Sequence, residues 1–132
     1  MRIFKKSHFK EESKQFIKEW IRLLSRDKFQ EALDLLDQPP NEENDFFWTK
    51  ENLKESFMDY GGPGRMPIIN DPFSMGKEGD SFDFYKYDDG SGWAIEYDIP
   101  LDGAKGDLTA QFSFKKSSGD LYSINLGDLH VM

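Results

Sequence analysis

The order of patterns along the chain predicts an α+β fold, with N-terminal helices packed on a curved antiparallel sheet of four or more strands. Two observations predict it. Apolar and polar residues alternate in three segments between Trp93 and Leu126, and before Pro39 the apolar residues recur at helical spacing. A run of helices followed by a run of strands buries both apolar surfaces when the helices cover one sheet face. At 132 residues the chain has the length of one domain, and residues 1–132 read as a single unit.

The first helix rests on Phe9, Phe16, Ile17, Trp20, Ile21 and Leu24, mostly three or four residues apart, with Leu23 widening the stripe. Its other side carries Lys10, Lys14, Lys18 and Arg22 at four-residue intervals. Like charges so spaced repel weakly, and Glu11 and Glu19 offset part of that. The plain reading of this stripe is a solvated face, although the acidic remainder of the chain or an acidic partner could also answer it.

Asp27, with Gln30 three residues on, has the pattern of a capping box for a second helix that buries Phe29, Ala32, Leu33 and Leu36. Pro39 and Pro40 end it, since proline lacks the amide donor, and residues 41–45 form an acidic loop. Thr49 caps a third helix from Lys50 to about Met58, with Leu53, Phe57 and Tyr60 inward and Trp48 packing back as a staple. Gly61-Gly62-Pro63-Gly64 breaks the chain. Residues 65–79 read as a long loop with a short edge strand at Ile68 and Ile69.

Ser81 to Tyr87 opens the sheet, Phe82 and Phe84 on one parity and Asp83, Tyr85 and Tyr87 on the other. Asp88-Asp89-Gly90-Ser91-Gly92 is a hairpin turn. Beyond it Trp93, Ile95, Tyr97 and Ile99 alternate with Ala94, Glu96 and Asp98. Leu108, Ala110, Phe112 and Phe114 then alternate with Thr109, Gln111 and Ser113, and Tyr122, Ile124 and Leu126 with Ser123 and Asn125. Residues 100–107 read as a long connection, and 115–120 as an ordinary hairpin loop.

Net charge is −8, divided unevenly: residues 1–28 hold nine Lys/Arg against four Asp/Glu, and residues 29–132 hold eight against twenty-one. An acidic body disfavours nucleic acid, whose binding depends on neutralising phosphates. It favours a cationic protein partner, because opposite potentials steer encounter. No apolar run of signal-peptide or membrane-spanning length is present in the sequence, so a soluble cytoplasmic protein is expected. The chain has no cysteine and two histidines, which argues against a thiolate or His-rich metal site, and no cofactor is expected. Gly61-Gly62-Pro63-Gly64 lacks the Lys-Ser/Thr of a phosphate loop, and Asp88-Asp89-Gly90 lacks the spaced ligands of a calcium loop.

The layout resembles the nuclear-transport-factor-2-like superfamily, in which helices close a curved sheet into a cone. The features that carry it are the helix Phe16 to Leu24 paired with Asp27-Lys28-Phe29-Gln30-Glu31-Ala32-Leu33-Asp34-Leu35-Leu36, Trp48 and Leu53 introducing a third helix, and the aromatic meander. The segments Pro100-Leu101-Asp102-Gly103, Asp107-Leu108-Thr109 and Asp128-Leu129-His130-Val131 are also similar to small bacterial proteins, some of them from toxin–immunity loci. The resemblance implies enzymes, binding modules and immunity proteins alike, since fold alone does not determine function.

The sequence offers two candidate sites. The polar parity gathers Asp83, Tyr85, Tyr87, Glu96 and Asp98, with Asp88 and Asp89 in the adjoining turn, as a surface for a cationic protein such as a toxin domain, with aromatic anchors among charges. The alternative is a pocket inside the cone using Tyr97, Tyr122 and His130, of which histidine is the residue that titrates near neutrality. A third reading is an oligomerisation module, a homodimer that buries Tyr85 and Tyr87. A non-enzymatic binding protein, in its most concrete form an acidic immunity protein, is the expectation carried forward.

Overall fold

A computed structural model describes residues 1–37, 48–61 and 65–131. Helices α1 (Phe9–Ser25), α2 (Phe29–Asp34) and α3 (Lys50–Gly61) precede four long strands, β2 (Phe82–Lys86), β3 (Gly92–Leu101), β4 (Ala104–Ser118) and β5 (Leu121–Val131). A two-residue strand, β1 (Arg2–Ile3), completes a five-stranded antiparallel sheet in the order β1-β5-β4-β3-β2. The α+β fold is therefore present, with the helices on one face of the sheet. Among the described residues no helix is long and apolar enough to cross a membrane.

The alternation of the meander becomes a buried face. Ile95, Tyr97, Ala110, Phe112, Phe114, Tyr122, Ile124 and Leu126 are buried against Phe16, Ile17, Trp20, Ile21 and Leu24 of α1. Trp20 meets Phe112 edge to face at 5.3 Å between ring centroids. Its indole N–H donates to the Ala32 carbonyl at 2.7 Å, which joins α1 to α2. A buried indole needs such an acceptor, because an unmade hydrogen bond there costs about 1–3 kcal/mol.

The lysine stripe of α1 is only partly solvated: Lys10 is exposed, while Lys14, Lys18 and Arg22 are half-buried. Lys10 lies over Phe84 and Trp93, and Lys14 over Phe82 and Phe84. Lys18 and Arg22 lie over Phe73 at 4.9 and 4.8 Å. Lys18 also pairs with Asp80 at 2.9 Å, and Arg22 with Asp71 at 3.0 Å. Cations over ring faces and opposite carboxylates offset the mutual repulsion of the stripe.

Other expectations change. Asp27 does not cap α2, and the capping box with Gln30 is absent; Lys28 occupies the N-cap without a side-chain bond. Asp27 instead ends α1 at φ 59°, with the amides of Asp27 and Lys28 donating to the carbonyls of Leu24 and Leu23. That is the Schellman arrangement, usually closed by glycine. The Thr49 cap forms as expected: its hydroxyl accepts from the Asn52 amide at 3.1 Å while the Asn52 side chain accepts from the Thr49 amide at 2.7 Å. Helix α3 runs to Gly61, beyond Met58. The segment at Ile68 and Ile69 contributes a single bridge, Ile69 to Leu101. The stop at Pro39 and Pro40, the acidic loop at 41–45 and the break at Gly62-Pro63-Gly64 lie outside the described residues.

Residues 100–107 are no long loop. Asp102 and Gly103 both take positive φ, 52° and 84°, between Leu101 and Ala104, which are paired across the turn. Two positive φ values at the centre of a two-residue loop make the mirror-image turn that suits strand twist. Asp102 accepts from the Ile68 amide at 3.0 Å and pairs with Arg65 at 3.0 Å, docking the preceding segment onto this hairpin.

Candidate functional site

The sheet face away from the helices is the candidate site, and strand register builds it. Asp83 pairs with Glu96, Glu96 with Gln111, and Gln111 with Asp128, so these four residues form one row across β2, β3, β4 and β5. Neighbouring strands lie about 4.8 Å apart, so the row spans roughly 14 Å. The row beside it pairs Asp98 with Thr109 and Thr109 with His130. On the other side Tyr85 pairs with Ala94, Ala94 with Ser113 and Ser113 with Asn125.

Asp128 and His130 join this face because of a bulge. Register shifts between Gln111 and Phe112, where Gly127 is the extra residue on β5. A bulge places two residues opposite one and re-aims the side chains beyond it. Leu129 therefore turns inward opposite Ala110, and His130 outward opposite Thr109. Simple alternation from Tyr122 onward gives the reverse assignment, so parity alone missed Asp128. The signal was available in Gly127, since a glycine inside a strand pattern marks such a break.

The residues of the site have distinct environments. Tyr85 is 53% exposed, and the negative field of Asp83, then of Glu96, raises its phenol above the ordinary value. His130 bridges two carboxylates, with Nε2 3.4 Å from Glu96 and Nδ1 3.2 Å from Asp128. Asp98 is engaged in structure: it accepts from the Ser81 hydroxyl at 2.6 Å and the Thr109 hydroxyl at 2.8 Å. The Tyr87 hydroxyl lies 3.0 Å from Ser113 Oγ, with Ala94 buried between their strands.

Asp83, Tyr85 and Glu96 thus come together as expected, and Asp128 and Gln111 extend them. Asp88 and Asp89 do not join the row. They sit in the β2–β3 turn, about 16 Å along the strand from Asp83 for Asp88 at 3.3 Å per residue. Asp89 accepts from the Ser91 amide at 2.9 Å, and hydrogen bonding from the Ser91 side chain, then from that amide, lowers its carboxyl below the ordinary value. Among the described residues no group of three or more His, Asp or Glu is arranged to hold a metal ion.

The three residues of the alternative pocket are apart. Tyr97 is fully buried and its hydroxyl donates to the Gly79 carbonyl at 2.9 Å, burial pushing its phenol well up. Tyr122 is also inside, among the rings of Phe4 and Phe9. Tyr97 lies opposite Ala110 and Tyr122 opposite Lys116, about 20 Å apart along β4. His130 is on the opposite face of the sheet. The inverted parity after Gly127 is the physical reason.

The two long edges of the sheet differ. Along β5, β1 pairs with Leu121 and Tyr122. The Asp37 carboxylate accepts from the Ile124 amide at 2.9 Å, and the Asp37 amide donates to the Ile124 carbonyl at 2.7 Å. The Trp48 indole then donates to the Leu126 carbonyl at 2.8 Å. Strand β2 has no such cover among the described residues.

No curated protein and no solved structure matches this chain. A family match extends over residues 21–132, from the later turns of α1 through the described end of β5. With that extent of agreement, the chain belongs to the family described as a domain of unknown function, DUF7668.

Proposed function

We propose that this chain is a non-enzymatic protein-binding module whose outer sheet face engages a cationic protein. One observation carries the reading: Asp83, Glu96 and Asp128 stand in register on a single face that no helix covers among the described residues, with half-exposed Tyr85 beside them. Carboxylates on one face steer a basic partner, and an aromatic ring among them provides an anchor. The interior supports the same reading. Its tyrosines are separated, and rings from α1 and β4 fill the space between helices and sheet.

The most concrete form of this function is an immunity protein that neutralises a cationic bacterial toxin domain in the cytoplasm. That choice rests on the resemblance read from the sequence at Pro100-Leu101-Asp102-Gly103, Asp107-Leu108-Thr109 and Asp128-Leu129-His130-Val131. The test is a bait carrying Asp83→Lys, Glu96→Lys and Asp128→Lys, with Asp98 left intact because it holds Ser81 and Thr109. Loss of a basic protein that the native bait retains supports the reading. Equal retention by a folded triple variant retires this face.

A further inference from the structure

The backbone of β2 shows how such a partner would dock. The Asp98 amide donates to the Ser81 carbonyl at 3.0 Å, and the Tyr87 amide to the Gly92 carbonyl at 3.0 Å. These positions lie six residues apart in one unbroken register, so the odd-numbered residues of β2 direct their backbone groups at β3. Phe82, Phe84 and Lys86 then direct theirs away from the sheet. Each presents an N–H and a C=O along an edge that nothing covers among the described residues. The strand Phe-Asp-Phe-Tyr-Lys carries no proline and no bulge that would spoil pairing. The contrast with β5, closed by β1, Asp37 and Trp48, sets this edge apart.

Charge identifies the occupant. On the outer side the edge begins with Asp83 and Tyr85, and Glu96 stands one strand behind. On the inner side Lys10 and Lys14 lie over Phe82 and Phe84. A strand laid against β2 would meet acid on one face, and aromatic rings under lysines on the other. A second copy of this chain fits poorly, since it would bring another net −8 and another Asp83 to the acidic side. Resting on the function proposed above, we infer that the partner adds an extended segment to the β2 edge, with Lys or Arg at alternate positions facing Asp83 and Glu96 and apolar residues between them. Main-chain bonds would supply affinity and the alternating side chains specificity.

The probe is a short blocked peptide alternating Lys with Val, compared with an isomer of the same composition whose Lys and Val are segregated. Titration followed by tryptophan fluorescence should show the alternating peptide binding at least about tenfold more tightly. Methylating its edge-facing amides, or introducing Lys86→Pro, should lower affinity by a similar factor. Lys86→Pro removes a donor that points away from β3, and circular dichroism checks that the variant folds. The methylated peptide tests the same bond on the native protein. Equal affinity for both isomers, lost on reversing Asp83, Glu96 and Asp128, overturns edge docking and leaves the acidic-face reading standing. Tight binding of the alternating peptide that is indifferent to this reversal overturns the charge assignment, and the acidic-face reading with it. A homodimer dispersed by Lys86→Pro also overturns the inference, because the edge would then serve self-pairing.

Discussion

His130 Nε2 stands 3.4 Å from Glu96 Oε2, and the other ring nitrogen stands 3.2 Å from Asp128. The imidazole therefore links the two carboxylates of the central row that lie on either side of Gln111. Its side chain is 32% exposed, so water screens both contacts. Replacement by Asn should change stability by no more than about 1 kcal/mol, as for other surface pairs. Urea denaturation of His130→Asn against the native chain measures this. A much larger loss would identify His130 as a structural residue rather than part of an open face.

Asp98 should behave differently from its neighbours. Its carboxylate accepts two hydroxyl bonds, from Ser81 and Thr109, and Thr109 is 1% exposed. Asp98→Ala orphans those donors and should cost about 1–3 kcal/mol. Asp83→Ala, on an exposed position, should stay within about 0.5 kcal/mol. Paired urea curves for the two variants separate the structural acid from the surface acid.

The end of α1 holds a non-glycine residue in left-handed geometry. Asp27 sits at φ 59° in the Schellman position, and its pair with Lys54 at 3.3 Å is exposed on the aspartate side. Asp27→Gly should stabilise the fold by about 0.5–1 kcal/mol, because glycine enters this region without steric cost. Thermal unfolding would show a raised midpoint. A lowered one would mean that the Lys54 pair outweighs backbone strain.

Asp102 links the segment 65–70 to the β3–β4 turn. The Ile68 amide, and then Arg65, hold its carboxyl below the ordinary value of 3.8. A carboxyl whose folded pKa is depressed contributes stability above its unfolded pKa and loses it as pH falls through the folded pKa. Asp102→Asn should therefore be less stable than the native chain near neutrality, with the gap closing below about pH 4. Stability measured by denaturant across that range checks the sign. A gap that widens in acid would contradict it.

Much of this fold was legible, because alternation and helical spacing report burial directly. The seven α1 residues read as apolar, Phe9 through Leu24 with Leu23, pack at or against the core, and so do the rings of β3 and β4. What escaped depends on contacts distant in sequence or on local backbone conformation. Arg2 and Ile3 become a strand because Tyr122 and Leu121 are there to pair with, and a two-residue strand has no period to read. Asp102-Gly103 makes a tight turn within what read as a long loop. The candidate site was half visible: Asp83, Tyr85 and Glu96 follow from parity, but one extra residue at Gly127 moved Asp128 and His130 from inside to outside. The lysines of α1 are exposed by pattern, and the rings of β2 and Phe73 that they cover are far away in sequence.

Contact between the outer sheet face and a basic protein is tested most directly by amide chemical-shift mapping of the isotopically labelled chain against a captured basic partner. Perturbations should concentrate at Asp83, Tyr85, Glu96, Gln111, Asp128 and His130, and weaken as salt is raised. Perturbations confined to α1, α2 and α3, with β2 to β5 unmoved, would contradict that assignment.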